Sequence, residues 1–154
     1  MTRDPIRVLV VEDGEEYTRT LGRFLAGPFV FTRAGSGSEA LARWREGFEV
    51  VVLDMRFDRV PAEALLGDLD AMAGRFSGDR ARARTFLEEN QGAFVLAALR
   101  ADGCRLPAVF SHDFSAQPRR WAHLERLHAP VDFLADNATP GQVSACLERL
   151  AGRG

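Results

Sequence analysis

Four apolar residues, three of them β-branched, run directly into a carboxylate at Val50-Val51-Val52-Leu53-Asp54. An apolar run without alternation reads as a strand covered on both faces, the habit of parallel sheets flanked by helices. In such sheets ligands collect beyond the carboxyl ends of the strands. Asp54 is therefore placed for chemistry, and other residues gain meaning from where they fall relative to it.

The same pattern recurs on either side. A second apolar run from Ile6 to Val11, interrupted by Arg7, ends in Glu12-Asp13. Tyr17, Leu21, Phe24 and Leu25 then fall at helical spacing until Gly27-Pro28 stops the helix. Phe29-Val30-Phe31-Thr32 reads as a short strand. A serine in Gly35-Ser36-Gly37-Ser38-Glu39 caps a helix that buries Ala40, Leu41 and Trp44 and closes at Gly47. The alternation β-α-β-α-β implies a parallel sheet with right-handed crossovers. After Asp54, residues 55–60 read as loop, and Pro61 suits the first turn of a helix carrying Ala64, Leu65, Leu69 and Met72. A break over 74–78 follows. Asp79 then caps a longer helix to about Ala101, with Phe86, Leu87, Phe94, Val95, Ala98 and Leu99 inward and Gly92 as its interruption. One crossover needs one helix, so residues 57–93 are expected to be a helical insertion. The arginines at 75, 80, 82 and 84 in it suit a solvated face or a docking surface. Leu106-Pro107-Ala108-Val109-Phe110 is a strand ending at Ser111-His112-Asp113, and residues 116–127 form a helix burying Trp121, Leu124 and Leu127. Val131-Asp132-Phe133-Leu134 is a fifth strand. Thr139 and Pro140 open a last helix that buries Val143, Cys146, Leu147 and Leu150. The expected architecture is one domain over 1–154: a three-layer, doubly wound α/β fold, five strands and five principal helices plus the inserted one.

Composition narrows the function classes. A formal charge of −2 gives no basic footprint for nucleic acid. No apolar run approaches the roughly 18 residues of a membrane span, and the N-terminus lacks a signal-peptide pattern, so a cytoplasmic protein is expected. Cys104 and Cys146 lack metal or redox spacing and read as packed thiols. All twenty basic residues are arginine, which excludes any mechanism that needs a lysine ammonium of this chain.

In a sheet ordered 2-1-3-4-5 the first and third strands are neighbours at the switch point. Glu12, Asp13 and Asp54 would then converge and raise one another's pKa. A hard divalent cation relieves that repulsion, and all-oxygen ligation with retained waters suits Mg²⁺. With the metal screening both charges, an Asp54 oxygen could attack a phosphoryl group, and Ser111 could donate a hydrogen bond to it. Ser111 also suits a plain turn residue, and Phe133 a plain core residue. His123 and His128 read as surface or edge histidines.

At Val10-Val11-Glu12-Asp13, Val51-Val52-Leu53-Asp54, Pro107-Ala108-Val109-Phe110-Ser111 and Asp132-Phe133-Leu134 the sequence resembles the receiver domains of bacterial two-component response regulators, with their flavodoxin/CheY-like fold. The resemblance covers about residues 5–56 and 94–150. It implies Asp54 as phosphoacceptor, with Asp13 and the Arg56 backbone carbonyl joining it around Mg²⁺ and Glu12 holding metal-bound water. It implies Ser111 as switch hydroxyl and Phe133 as switch aromatic. The implied partners are a histidine kinase or phosphotransfer protein and a downstream protein docked through the last two strands and helices; a homodimer is compatible with this. The domain would signal without being an enzyme. The family's lysine after the fifth strand is absent, and Asp136 or Asn137 takes its place; bulky His112 follows the switch position. These departures keep a second version open, a module that binds proteins without phosphorylation. A haloacid-dehalogenase-type phosphohydrolase would want a second aspartate where Arg56 stands.

Overall fold

A computed structural model describes residues 4–153. Five strands form one parallel sheet in the order β2-β1-β3-β4-β5, as expected: β1 Ile6–Val11, β2 Phe29–Ala34, β3 Val50–Leu53, β4 Ala108–Phe110 and β5 Val131–Phe133. Side chains alternate across a strand, so each central strand serves two cores. Ile6, Val8, Val10, Val50, Val52 and Val109 face one layer, formed by α1 (Glu16–Leu25) and α7 (Pro140–Leu150). Leu9, Val11, Val51, Leu53, Ala108 and Phe110 face the other, which holds α2 (Gly37–Arg43), α5 (Gln91–Ala101) and α6 (Pro118–His128). All four residues of β3 are buried. Burying each such side chain stabilises by roughly 1.5–3 kcal/mol.

Local signals act as read at several ends. The Ser36 hydroxyl accepts from Glu39 N–H at 3.1 Å, and Asp79 accepts from Arg82 N–H. Thr139 and Gln142 close a reciprocal capping box before Pro140.

The segment between β3 and α5 departs from expectation. Pro61 opens no α-helix: a 3-10 turn at Ala62–Ala64 ends at Leu65. Gly67, at φ +108°, then bends the chain where a Cβ would meet the Leu87 side chain. The helix starts only at α3 (Leu69–Arg75), where the Asp68 carboxylate takes Ala71 N–H. The long helix expected over 79–101 is two helices, α4 (Arg80–Glu89) and α5, and the break falls at Asn90 rather than at Gly92. The described residues therefore hold seven α-helices, one more than expected. Gln91 explains the break. Its fully buried amide accepts from Leu66 N–H at 2.7 Å and donates to the carbonyls of Leu66 and Leu87, each at 3.1 Å. These bonds fasten the 3-10 turn to the α4–α5 joint. Gly92 sits inside the first turn of α5, where its missing side chain permits close packing. Of the remaining limits, β2 runs on to Ala34, α2 ends at Arg43 with Trp44 as its C-cap, and β4 starts at Ala108 rather than Leu106. The Pro107 carbonyl still accepts from Val51 N–H at 2.9 Å.

Candidate functional site

Strand register brings the expected residues to one edge. Val11 lies opposite Leu53, and Leu53 opposite Phe110, so Glu12, Asp54 and Ser111 leave the sheet side by side. Asp54 N–H donates to Val11 O and Ser111 N–H to Leu53 O, both at 3.0 Å, which extends the ladder past the strands. The Ser111 hydroxyl lies 3.4 Å from the same Leu53 oxygen.

The three carboxylates have different employments. Glu12 is 3% exposed, and both its oxygens are taken by the start of α1: Tyr17 N–H at 3.2 Å, Thr18 N–H at 2.6 Å and the Thr18 hydroxyl at 2.5 Å. It caps the positive end of the helix. One oxygen of Asp13 accepts from the backbone N–H groups of Asp58 (2.9 Å) and Arg59 (2.8 Å), which ties the loop after β3 to the loop after β1. Asp54 is half-buried with little to offset its charge. Burial first, and then the Asp13 charge beside it, push its carboxyl up to about 6; Glu12 adds to this, while the N–H groups of Met55 and Arg56 act against it. Neighbouring Tyr17 is pushed up to about 12, chiefly by burial, with the Glu12 and Asp54 charges contributing.

Arg33 donates to the Asp13 backbone carbonyl at 2.8 Å and to that of Gly14, but basic side chains do not pair with the carboxylates themselves. None of the ion pairs among the described residues includes Glu12, Asp13 or Asp54. Arg56 is turned outward to Asp58 at 3.3 Å. Arg59 feels the Asp13 charge but bonds to Glu16 at 2.6 Å. Beyond Ser111 lies a cavity of about 400 Å³ between α1 and α7, walled by Tyr17, Phe24, Leu134, Asp136 and Val143 among others, with no basic side chain in its lining. Ala135, Asp136 and Asn137 are exposed.

A divalent cation can be weighed against this donor set. Among the described residues no three His, Cys, Asp or Glu side chains form a metal-holding group. Mg²⁺ characteristically uses one or two carboxylates and keeps its waters. Asp54 and the oxygen of Asp13 not engaged by backbone fit that mode. Glu12, with both oxygens on α1, does not fit as a direct ligand.

The remaining expected residues lie to one side. Phe133 packs edge-on against Trp121 (centroids 4.8 Å apart) and Phe114 (5.7 Å). His112 turns onto Phe114 at 4.6 Å. His123 is exposed on α6, and His128 closes that helix.

Sequence reasoning missed the support behind Asp54. Met55 and Phe57, read as loop, are 4% and 0% exposed. Phe57 N–H donates to Glu88 O at 2.8 Å, and Gly92 N–H to Met55 O at 3.0 Å. A Cβ on Gly92 would be driven into the Asp54 carbonyl oxygen and would lie 3.0 Å from Met55 Cα. The only sequence signal was an apolar pair spaced two apart directly after the aspartate.

No protein-family model and no curated protein matches this chain. Solved structures do match over nearly its whole length. The receiver domain of Francisella response regulator 1452 superposes with a TM-score of 0.64 at 16% identity, covering 97% of this chain and 98% of that one. Vibrio cholerae chemotaxis protein CheY4 gives 0.60 at 17% identity, covering 96% and 99%. The fold is that of response-regulator receiver domains. A structure of a Rhodopirellula baltica adenylate cyclase shares the receiver-like fold too, with a TM-score of 0.63 at 21% identity and coverage of 97% and 90%. No helix among the described residues is long and apolar enough to cross a membrane.

Proposed function

We propose that this chain is a receiver-type signalling protein in which Asp54 accepts a phosphoryl group and Asp13 helps to hold Mg²⁺. One observation carries the reading: Asp54 follows the central buried strand beside Asp13, half-buried, and among the described residues no side-chain cation is paired with either. Such a pair is poised to take a cation and an electrophile together. Mg²⁺, held by Asp13, Asp54 and the Arg56 carbonyl, would supply charge neutralisation at the transferred oxygens. An Asp54 carboxylate oxygen would form the bond to phosphorus while the bond to the donor's nitrogen breaks, its electron pair leaving with that nitrogen. Ser111 would donate its hydroxyl proton in a hydrogen bond to a phosphoryl oxygen. Glu12 would act by fixing the start of α1, not by touching the metal. The donor would be a histidine kinase or a phosphotransfer protein in the cytoplasm, and the output would be docking to another protein, without catalysis of a reaction on a small substrate.

A second reading rests on a specific observation. The β5–α7 loop offers the pocket Asp136 and no cation, and a charge-assisted hydrogen bond of about 1.5–3 kcal/mol goes unmade there. A protein-binding module that keeps the fold without phosphorylation would tolerate this. Incubation with acetyl phosphate and Mg²⁺, read by intact mass, separates the two. A phosphoryl adduct in the wild type that is lost in Asp54→Asn supports the first reading. No adduct at saturating donor removes it.

A further inference from the structure

Resting on Asp54 as the phosphoacceptor, we infer that its state is transmitted through the loop behind it to the joint between α4 and α5, with Arg120 as the latch. The loop has little slack on that side. Met55 O and Phe57 N–H are bonded to the first turn of α5 and the last turn of α4, respectively. Gly92 allows the α5 backbone to lie directly on the Asp54 carbonyl. A main-chain shift at Asp54 therefore displaces Gly92 or breaks these two bonds.

The joint it acts on has the form of a two-state element, because a single non-helical residue divides two helices. At Asn90 the chain leaves helical geometry (φ −117°, ψ 15°), and its side chain donates to Phe86 O at 2.9 Å. The Asn90 oxygen accepts from Arg120 of α6. Arg120 also lies 3.8 Å from Met55 Sδ and over the Phe114 ring at 5.5 Å, and it has no carboxylate partner among the described residues. One side chain thus touches the loop behind Asp54, the joint and the aromatic group that includes Phe133. The far side of α4 forms a wall of an open cavity of about 380 Å³, lined by Phe76, Arg82 and Phe86 among others, with Arg82 over the Phe76 ring at 5.0 Å. Movement of α4 at the joint reshapes that surface.

The test uses the whole chain with beryllofluoride and Mg²⁺ as the probe, followed by ¹H–¹⁵N spectra and amide hydrogen exchange. In the wild type the probe should shift the amides of residues 54–57 and also those of α4 and Gly92. Exchange at Phe57 and Gly92 should change by about tenfold, the size of one net hydrogen bond, while β2 stays unchanged. Arg120→Ala, and the milder Arg120→Gln, should keep the response at Asp54 and lose most of that in α4. Shifts confined to residues 54–57 and Ser111 overturn the inference and leave the phosphoacceptor reading standing. An α4 response undiminished in both arginine variants overturns the latch. Silence at Asp54 itself removes the phosphoacceptor reading and this inference with it.

Discussion

Two loops leave the same edge of the sheet, one after β3 and one after β5, and they are built in opposite ways. The first is gripped on both sides. Asp13 holds the N–H groups of Asp58 and Arg59, the α4–α5 joint holds Met55 and Phe57, and Phe57 is fully buried. The second is exposed from Ala135 to Asn137, is closed by a single turn bond from Ala138 N–H to Ala135 O at 3.1 Å, is joined to the loop after β4 by a long 3.4 Å bond from Asp136 N–H to Asp113, and enters the next helix at the Thr139 capping box. Precision has been built behind the aspartate, whereas the side facing the α1–α7 cavity has been left open, with no basic side chain among the described residues that line it. A site that binds by its first loop and is regulated from behind it would look like this.

Substitutions should reproduce that contrast. The largest loss is expected for Phe57→Ala, which empties a fully buried aromatic site and should cost about 3–5 kcal/mol; urea unfolding measures it. Gly92→Ala comes next. It pushes a methyl into backbone that cannot move aside as a side chain could, and should cost about 1–3 kcal/mol by the same assay. A cost near zero would mean the α5 contact is loose and the contrast weaker than described.

The third prediction concerns pH. Folded Asp54 keeps its proton to about pH 6, whereas an ordinary aspartate releases it near 3.8. Between those values the folded state binds more protons than the unfolded, so stability falls as pH rises through the window. Asp54→Asn removes that loss. It should be more stable than the wild type by about 1–2 kcal/mol above pH 6, allowing for solvent screening, and should approach it below pH 4. Thermal unfolding across pH 3.5–8 reads the difference. The smallest effect belongs to the open loop: Asp136→Asn should change stability by no more than about 0.5 kcal/mol at any pH.

The contrast also marks what was legible in the chain. Strands whose burial follows from unbroken β-branched runs, such as Val50–Leu53, announced themselves, and so did the carboxylates at their ends. Caps formed by neighbours within three residues, at Ser36, Asp79 and Thr139, were equally plain. What escaped depends on partners far along the chain. Glu12 looks like a ligand until Tyr17 and Thr18 are seen to claim it. Gly92 looks like a helix breaker until Asp54 is found against it. Gln91 carries no signal in the sequence, yet its buried amide bonds to Leu66. Residues 61–67 failed as a helix because Gly67 and the Gln91 clamp outweigh the high helix propensity of Ala64 and Leu65.

The central claim is that Asp13 and Asp54 share a cation. Calorimetric titration of Mg²⁺ into the wild type, Asp13→Asn and Asp54→Asn at pH 7.5 tests it most directly. One site should appear in the wild type, and each substitution should weaken it by about tenfold or more, the worth of one charged ligand. Equal affinity in all three proteins, or none in any, would contradict the account.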